Sequence, residues 1–575
     1  MRHVVQHTVF PAVATLAACL LAACQPAEPP TAQSAAPASE PAAAAASHVF
    51  DEAITAEDFL QHVKVLSSDD FGGRQPGTDG ETKTVEYLIA QFKRLGIEPG
   101  NGDSYTQTVP MVETTATPVS AKVDLNGTPV EWSFGTQWVG GTRSGAPKVE
   151  VSGSPMVFVG YGVNAPEAGW NDYAGLDVKG KTVVMLINDP GFHVGDETLF
   201  GGKRMTYYGR WTYKFEEAAR QGATAALIIH DTAGAGYPWS VVQDGWTGAQ
   251  HDLPASEDPE PRLPLQGWIS AESATELFAA SGYTLEDLRT AANKKGFAPV
   301  PLKASLSVEL ESQVKSSQSN NVLGLIRGTE KPDEVVVYMG HWDHLGTQVA
   351  ADGSQQIWHG AIDNASGIAG ILEIAERFAK HPPKRSVLIL PVTLEESGLL
   401  GSKYYVSHPT FPLANTVGVI NIDAMSIIGP TRDMVVIGYG SSELEDVLKP
   451  IAEKQGRVLH AEADTEKGYF FRSDHFNFAK AGVPALYAKA GLDHAEKGIE
   501  AGRAIADEYT ANRYHKPADV VDPNWDLRGV VQDLEAFYEI GSVLANGDAW
   551  PNWYEDNAFR ATRDAQRSAA SEGAK

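Results

Sequence analysis

Cysteine is nearly missing from this chain: of 575 residues only Cys19 and Cys24 are cysteines, both near the N-terminus. No intrachain disulfide can therefore brace the folded body, and cysteine-ligated zinc and iron–sulfur sites are excluded from it. Positive charge is also scarce. Lys plus Arg number 46 against 73 Asp plus Glu, a formal net charge of -27. A surface that negative repels phosphate backbones, so no nucleic-acid partner is expected. Beyond Cys24 no run of about 18 apolar residues occurs, and no span of a bilayer is expected there. A Gly-x-Ser-x-Gly elbow is lacking too, which disfavours serine hydrolysis. What remains is ordinary globular composition, 43% hydrophobic and 21% charged. At roughly 150 residues per domain the length allows two to four domains.

The first residues read as a targeting segment. A weakly basic start, Met1-Arg2-His3, leads into a short apolar run that ends Leu21-Ala22-Ala23-Cys24, the pattern of a secretory signal. The last four residues resemble a bacterial lipobox, which implies a signal peptide over 1–23 and lipidation of Cys24. Gln25, rather than Asp, then implies the outer membrane, with the protein facing the periplasm. Residues 25–47 hold ten Ala and five Pro among 23 positions, so 24–47 reads as an extended tether.

The body divides by pattern. Helical apolar spacing appears over 56–66 and 81–95, the latter stopping at Gly96, with a Gly-rich loop over 72–80 between them. Residues 135–300 are richer in short β-type runs with turn residues around them, and no acid, base and nucleophile gather there. From 320 to about 545, near-continuously apolar strands alternate with amphipathic helices, which predicts an α/β fold with a mainly parallel sheet flanked by helices. Residues 551–575 read as a polar C-terminal tail.

The chemistry gathers where these strands end. Val335–Met339 runs into Gly340-His341-Trp342-Asp343-His344, Val387–Leu390 into Leu394-Glu395-Glu396, and Val419–Ile422 into Asp423. Sites in open α/β sheets form outside the carboxyl ends of strands, so these groups should converge. Asp363 joins from Gly360-Ala361-Ile362-Asp363-Asn364 before a helix, and His515 from a late loop. Several carboxylates crowded together repel unless a cation compensates them. Imidazole and carboxylate donors without thiolate suit zinc, and two divalent ions account for the number of acids.

These motifs, with Glu395-Glu396-Ser397-Gly398, Asn421-Ile422-Asp423, Ser473-Asp474-His475 and Tyr514-His515-Lys516-Pro517-Ala518-Asp519, resemble the co-catalytic di-zinc aminopeptidases of metallopeptidase family 28. Relatives of that family include bacterial leucyl aminopeptidases, glutamate carboxypeptidase II and the transferrin receptor. The resemblance covers about 48–130 and 305–550 as a peptidase domain, with 135–300 similar to an inserted protease-associated domain. It implies two Zn2+, one on His341 and Asp423, the other on Glu396 and His515, with Asp363 bridging. It implies Glu395 as the general base that deprotonates the metal-bound water, Tyr514 as a donor to the oxyanion, and Asp343 holding the His341 imidazole. It also implies a cis Asp363–Asn364 peptide, and peptides cleaved from their N-terminus as substrates. A carboxypeptidase, a glutaminyl-cyclase-like enzyme and a non-catalytic binding protein are alternatives on the same scaffold, and the oligomeric state stays open. Asp474 is expected to cap the helix after it. Tyr469, Phe470 and Phe471 are candidates for a pocket wall or the core, and His344, His359 and His494 for loop or supporting roles.

Overall fold

The computed structural model describes residues 48–350 and 352–573. The expected signal peptide, Cys24 and the tether lie outside the described residues. Among the described residues no helix is long and apolar enough to cross a membrane.

The peptidase-like part is built on an eight-stranded sheet. Its order is Glu98–Pro99, Gly324–Ile326, Arg385–Val392, Lys331–His341, Thr416–Asn421, Ala485–Ala490, Asp433–Val436, Val458–Ala461. The four strands from Arg385–Val392 to Ala485–Ala490 run parallel. Every residue of Arg385–Val392 and Thr416–Asn421 is buried, as parallel strands covered on both faces require. On one face lie the helices Gly367–Lys380 and Arg528–Asn546, packed against the apolar core of Val336, Tyr338, Ile389 and Ile420. The Tyr338 hydroxyl donates to Phe537 O at 2.6 Å across this layer. Because the central strands are parallel, their carboxyl ends open on one edge.

Local chemistry explains the flanking helices. Asp79–Leu95 starts at Thr78, whose side chain accepts from Gly80 N, and stops at Gly96 in the left-handed region. Several elements escaped the sequence pattern, among them two beside the sheet's centre and the late loop. Ala485–Ala490 is a central strand only six residues long. Ile499–Asn512 is a helix in which only Gly502 is buried, so it carries no clear apolar stripe.

Two boundaries need correction. The long strands Thr106–Leu125 and Val300–Val322 pair along almost their whole lengths, and both belong to a separate nine-stranded sheet with its own cores. The inserted unit therefore spans about 106–322 rather than 135–300. Residues 551–575 are not merely a polar tail. Arg560–Gly573 is a helix, and Arg563, 1% exposed, donates to Leu413 O and Thr416 O. Arg567 lies 3.5 Å over the Trp550 ring. Long arginine stems bury apolar surface while their heads satisfy carbonyls, so a polar composition conceals a packed helix.

Candidate metal centre

His341 ends its strand, while Glu395, Glu396 and Asp423 follow the ends of two neighbours. The turn 361–366, which carries Asp363, sits at the same edge, and the Asp363–Asn364 peptide is cis. His341 Nε2 lies 3.3 Å from Asp363 Oδ1 and 3.3 Å from Asp423 Oδ1. His515 Nε2 lies 3.1 Å from Asp363 Oδ2 and 3.4 Å from Glu396 Oε2. The two oxygens of Asp363 thus face two separate sets of donors. Donors bound about 2.0–2.1 Å from one tetrahedral ion are about 3.3–3.4 Å apart, which matches both sets. This donor set fits two divalent ions sharing Asp363.

The protonation pattern agrees. Burial pushes the His341 pKa down, but Glu395, Asp423 and Asp363 carry it well above the ordinary value. Burial works to raise Asp363, yet the imidazoles of His341 and His515 hold it well below the carboxylate range. Without a cation the acids keep protons on the imidazoles, and a metal would displace them. Glu395 goes the other way: burial, helped by Glu396, Asp423 and Asp474, raises it well above the ordinary range, with His341 opposing.

Two expectations about supporting residues are corrected. His341 Nδ1 lies 3.1 Å from the main-chain oxygen of Asp343, whose carboxylate is 3.9 Å away, beyond hydrogen-bond reach. A proton on Nδ1 leaves Nε2 free to ligate. The Asp343 carboxylate instead accepts from Glu395 N at 3.2 Å, steadying the loop of the expected base. Asp474 makes no side-chain cap. Its backbone is already helical, and its fully buried carboxylate accepts from Ser402 Oγ at 2.6 Å instead. Its neighbour Ser473 donates to Asp423 Oδ2 at 2.7 Å and so orients a candidate ligand.

His344 is nearer the centre than its sequence context suggested. Together with Asp363 and Glu396 it forms a cluster of metal-binding type. Its Nδ1 is only 2.7 Å from Glu396 Oε1, shorter than the separation of donors sharing an ion, so this is a hydrogen bond that orients Glu396. His515 keeps the ligating geometry. His359 meets Asp69 and His494 accepts from Glu496 N, so neither joins the centre. Tyr514 stacks on His515 with ring centroids 4.1 Å apart and stands half-exposed on the rim. Of the aromatic trio, Tyr469 and Phe471 line the cavity, while Phe470 packs on His475 and Trp553.

Three residues missed as functional hold the scaffold. Asn364 donates to His341 O and Ile422 O and accepts from Gly367 N and Ala424 N, tying three ligand-bearing segments together. Asp519 accepts from Ile362 N and Asp363 N. Arg74, buried, donates to Trp342 O, His359 O and Gly360 O. Asn364 and Asp519 stood inside the recognised motifs, whereas nothing local marks Arg74 out. Gly360 is required here: its φ is 55°, and a Cβ would sit 2.1 Å from Asp363 O. Leu394, Ala424 and His515 also take left-handed φ values of 59°, 57° and 52°. Such residues cost about 1–3 kcal/mol each and cluster at functional sites. Asp519→Asn replaces an acceptor of two N–H groups with a weaker one. Metal titration should show affinity reduced roughly 10–100-fold, as for other supporting partners of ligands. Unchanged affinity would show that the turn holds Asp363 unaided.

These residues open into a cavity of about 890 Å³ whose walls come from both the peptidase-like part and the inserted unit. Residues 321–538 match the model of Peptidase family M28. A probable zinc metalloprotease of Pyrenophora teres f. teres (strain 0-1) is 36% identical over 127 residues, 21% of this chain and 26% of that protein. A probable glutamate carboxypeptidase of Arabidopsis thaliana is 24% identical over 384 residues, 60% of this chain and 48% of that protein. The chain thus spans less than half the length of these curated relatives. The solved structure of an aminopeptidase from Aneurinibacillus sp. strain AM-1 superposes with a TM-score of 0.45 at 20% identity, covering 86% of this chain and 95% of that one. The segment that matches this family's model, 321–538, is the one that holds His341, Asp363, Glu395, Glu396, Asp423 and His515.

Proposed function

We propose that this chain is a zinc-dependent aminopeptidase that removes N-terminal residues from short peptides. The observation that carries the proposal is the placement of the two Asp363 oxygens between His341 with Asp423 and His515 with Glu396. Ions held there would lower the pKa of water and polarise a carbonyl. The rest of the chemistry falls to the protein. Glu395, raised in pKa, takes a proton from the attacking water and returns it to the leaving amine. Asp343 fixes the backbone of that loop. Tyr514, on the rim beside His515, supplies a hydroxyl to the developing oxyanion.

We infer exopeptidase action from the negative charge of the carboxylates that line the cavity, among them Asp363, Glu396 and Asp423. A free α-amine meets the ligand carboxylates, whereas an acetylated one loses that charge and gains bulk. An aminopeptidase of Mus musculus, 32% identical over 139 residues, is in keeping with this reading. Peptides should lose one residue at a time, and N-acetylation should reduce cleavage at least about 100-fold, the scale of a lost charged contact at a buried site. Rapid internal cleavage of N-acetylated peptides would overturn the aminopeptidase assignment. We also propose that Cys24 is lipidated and holds the protein at the outer membrane. Labelling with a fatty acid that persists in Cys24→Ala would contradict this.

A further inference from the structure

Cations gather at the edge of the peptidase-like sheet opposite the metal centre, where Lys331–His341, Arg385–Val392 and Thr416–Asn421 begin. Four of them have a carboxylate at 2.6–3.2 Å: Lys331 meets Asp548, Lys384 meets Glu330, Arg385 meets Glu334 and Arg560 meets Asp564. Arg563 and Arg567 have none within ion-pair distance among the described residues. They stand four positions apart on the helix Arg560–Gly573, so they share a face. Arg563 donates from Nη1 to Leu413 O and from Nη2 to Thr416 O, and Arg567 donates from Nη1 to Ala414 O. A carbonyl satisfies a donor but carries no net charge, so two positive charges stay unbalanced.

These two arginines line a cavity of about 410 Å³ between their helix and the segment 550–552, where Trp550 and Pro551 make the wall apolar. Three guanidiniums lie over the Trp550 ring, Arg567 at 3.5 Å, Arg385 at 5.0 Å and Arg563 at 5.8 Å from its centroid. They work against one another. Burial, with Arg567 adding, pushes Arg563 down to about 10, so it is still charged at neutral pH. Burial lowers Arg567 too, with Glu334 opposing and Arg385 adding. Arg385 is fully buried and its Nη2 has no acceptor among the described residues. Asp564 also lines the cavity, but its carboxylate is already held by Arg560 at 2.9 Å and Asn552 Nδ2 at 2.8 Å. Buried like charges without a counter-ion are costly unless an anion completes them. A guanidinium fork matches the oxygens of a phosphate, and each has five N–H donors, more than the carbonyls here accept.

We infer that Arg563 and Arg567, beside Trp550, form a binding site for a phosphate group on the edge of the sheet away from the metal centre. The pair of charges calls for a dianion, so the ligand is inorganic phosphate or a phosphomonoester. A lipid headgroup and a free phosphate share that chemistry. The site stands apart from peptide hydrolysis and does not depend on that reading.

The test is calorimetry of inorganic phosphate on the zinc-loaded, full-length Cys24→Ala protein, a background that keeps a lipid anchor out of the measurement. Phosphate should bind saturably, and acetate, a monoanion, at least about tenfold more weakly. Arg567→Gln should weaken phosphate at least about tenfold, the scale of a lost charged hydrogen bond, and Arg567→Lys should keep part of the affinity. Asp564→Asn should tighten it about threefold, a gain that damaged packing does not produce. Zinc content should not change in any variant, so phosphate held by the metal ions, which is indifferent to Arg567, is told apart. Co-sedimentation with phosphatidylcholine vesicles containing phosphatidic acid, against phosphatidylcholine alone, separates the sources. Retention that is lost in Arg567→Gln marks a lipid headgroup, and phosphate binding without retention marks a free phosphate. Phosphate affinity unchanged by Arg567→Gln, acetate binding as tightly as phosphate, or neither saturable phosphate binding nor Arg567-dependent retention would overturn the site.

Discussion

Glu395→Gln should lower kcat by about 10³-fold, roughly 4 kcal/mol of transition-state stabilisation, while both metals stay bound. The side chain lies within reach of His341 and Asp423 yet makes no ion pair of its own among the described residues, so its loss removes proton transfer and leaves the ligands in place. Burial and three neighbouring carboxylates raise its pKa well above the ordinary range against the opposing pull of His341. Glu396 is the contrast. It is gripped by His344 at 2.7 Å and faces His515, so Glu396→Gln should lose metal from one half of the centre. KM should move little in Glu395→Gln, because proton transfer belongs to the transition state and not to substrate binding. Metal loss in Glu395→Gln with metal retained in Glu396→Gln would exchange the two roles.

Asp363→Ala should empty both halves of the centre and abolish activity. Among the described residues its carboxylate is the one group that faces both halves, at 3.3 Å from His341 and 3.1 Å from His515. Removing them also leaves His341, Asp423, Glu396 and His515 without the group that holds them in register. Asp363→Asn is the sharper variant, since an amide offers one oxygen and one N–H. It should retain at most one ion per chain, with activity reduced beyond 10³-fold. Full metal content and activity in Asp363→Asn would show that the two sites are independent.

The centre was legible because its donors are written beside strand ends. His341, Glu395, Glu396 and Asp423 each follow a largely apolar run, and the carboxyl ends of parallel strands share one edge on which such groups can meet. What supports the donors was harder to read. Whether Asp343 reaches His341 by its carboxylate or its carbonyl depends on about an ångström of loop geometry that no residue type encodes. Asp519 holds the Asp363 turn from 156 positions away, a contact created only when the late loop folds back. Ser473 and Asp474 are adjacent, yet one donates to Asp423 and the other accepts from Ser402. The fold shows the same division. The longer buried strands announced themselves, but the limits of the inserted unit depended on register between Thr106–Leu125 and Val300–Val322, and the last helix was masked by Arg563 and Arg567, whose heads reach carbonyls.

The central claim is that Asp363 joins two ions. It is tested most directly by anomalous diffraction at the zinc edge from crystals of the zinc-loaded protein. Two peaks about 3.5–4 Å apart, the usual spacing of two-metal sites, should flank the Asp363 carboxylate, one beside His341 and Asp423 and the other beside His515 and Glu396. A single peak in fully active protein, or two peaks with Asp363 bound to neither or only one, would contradict it.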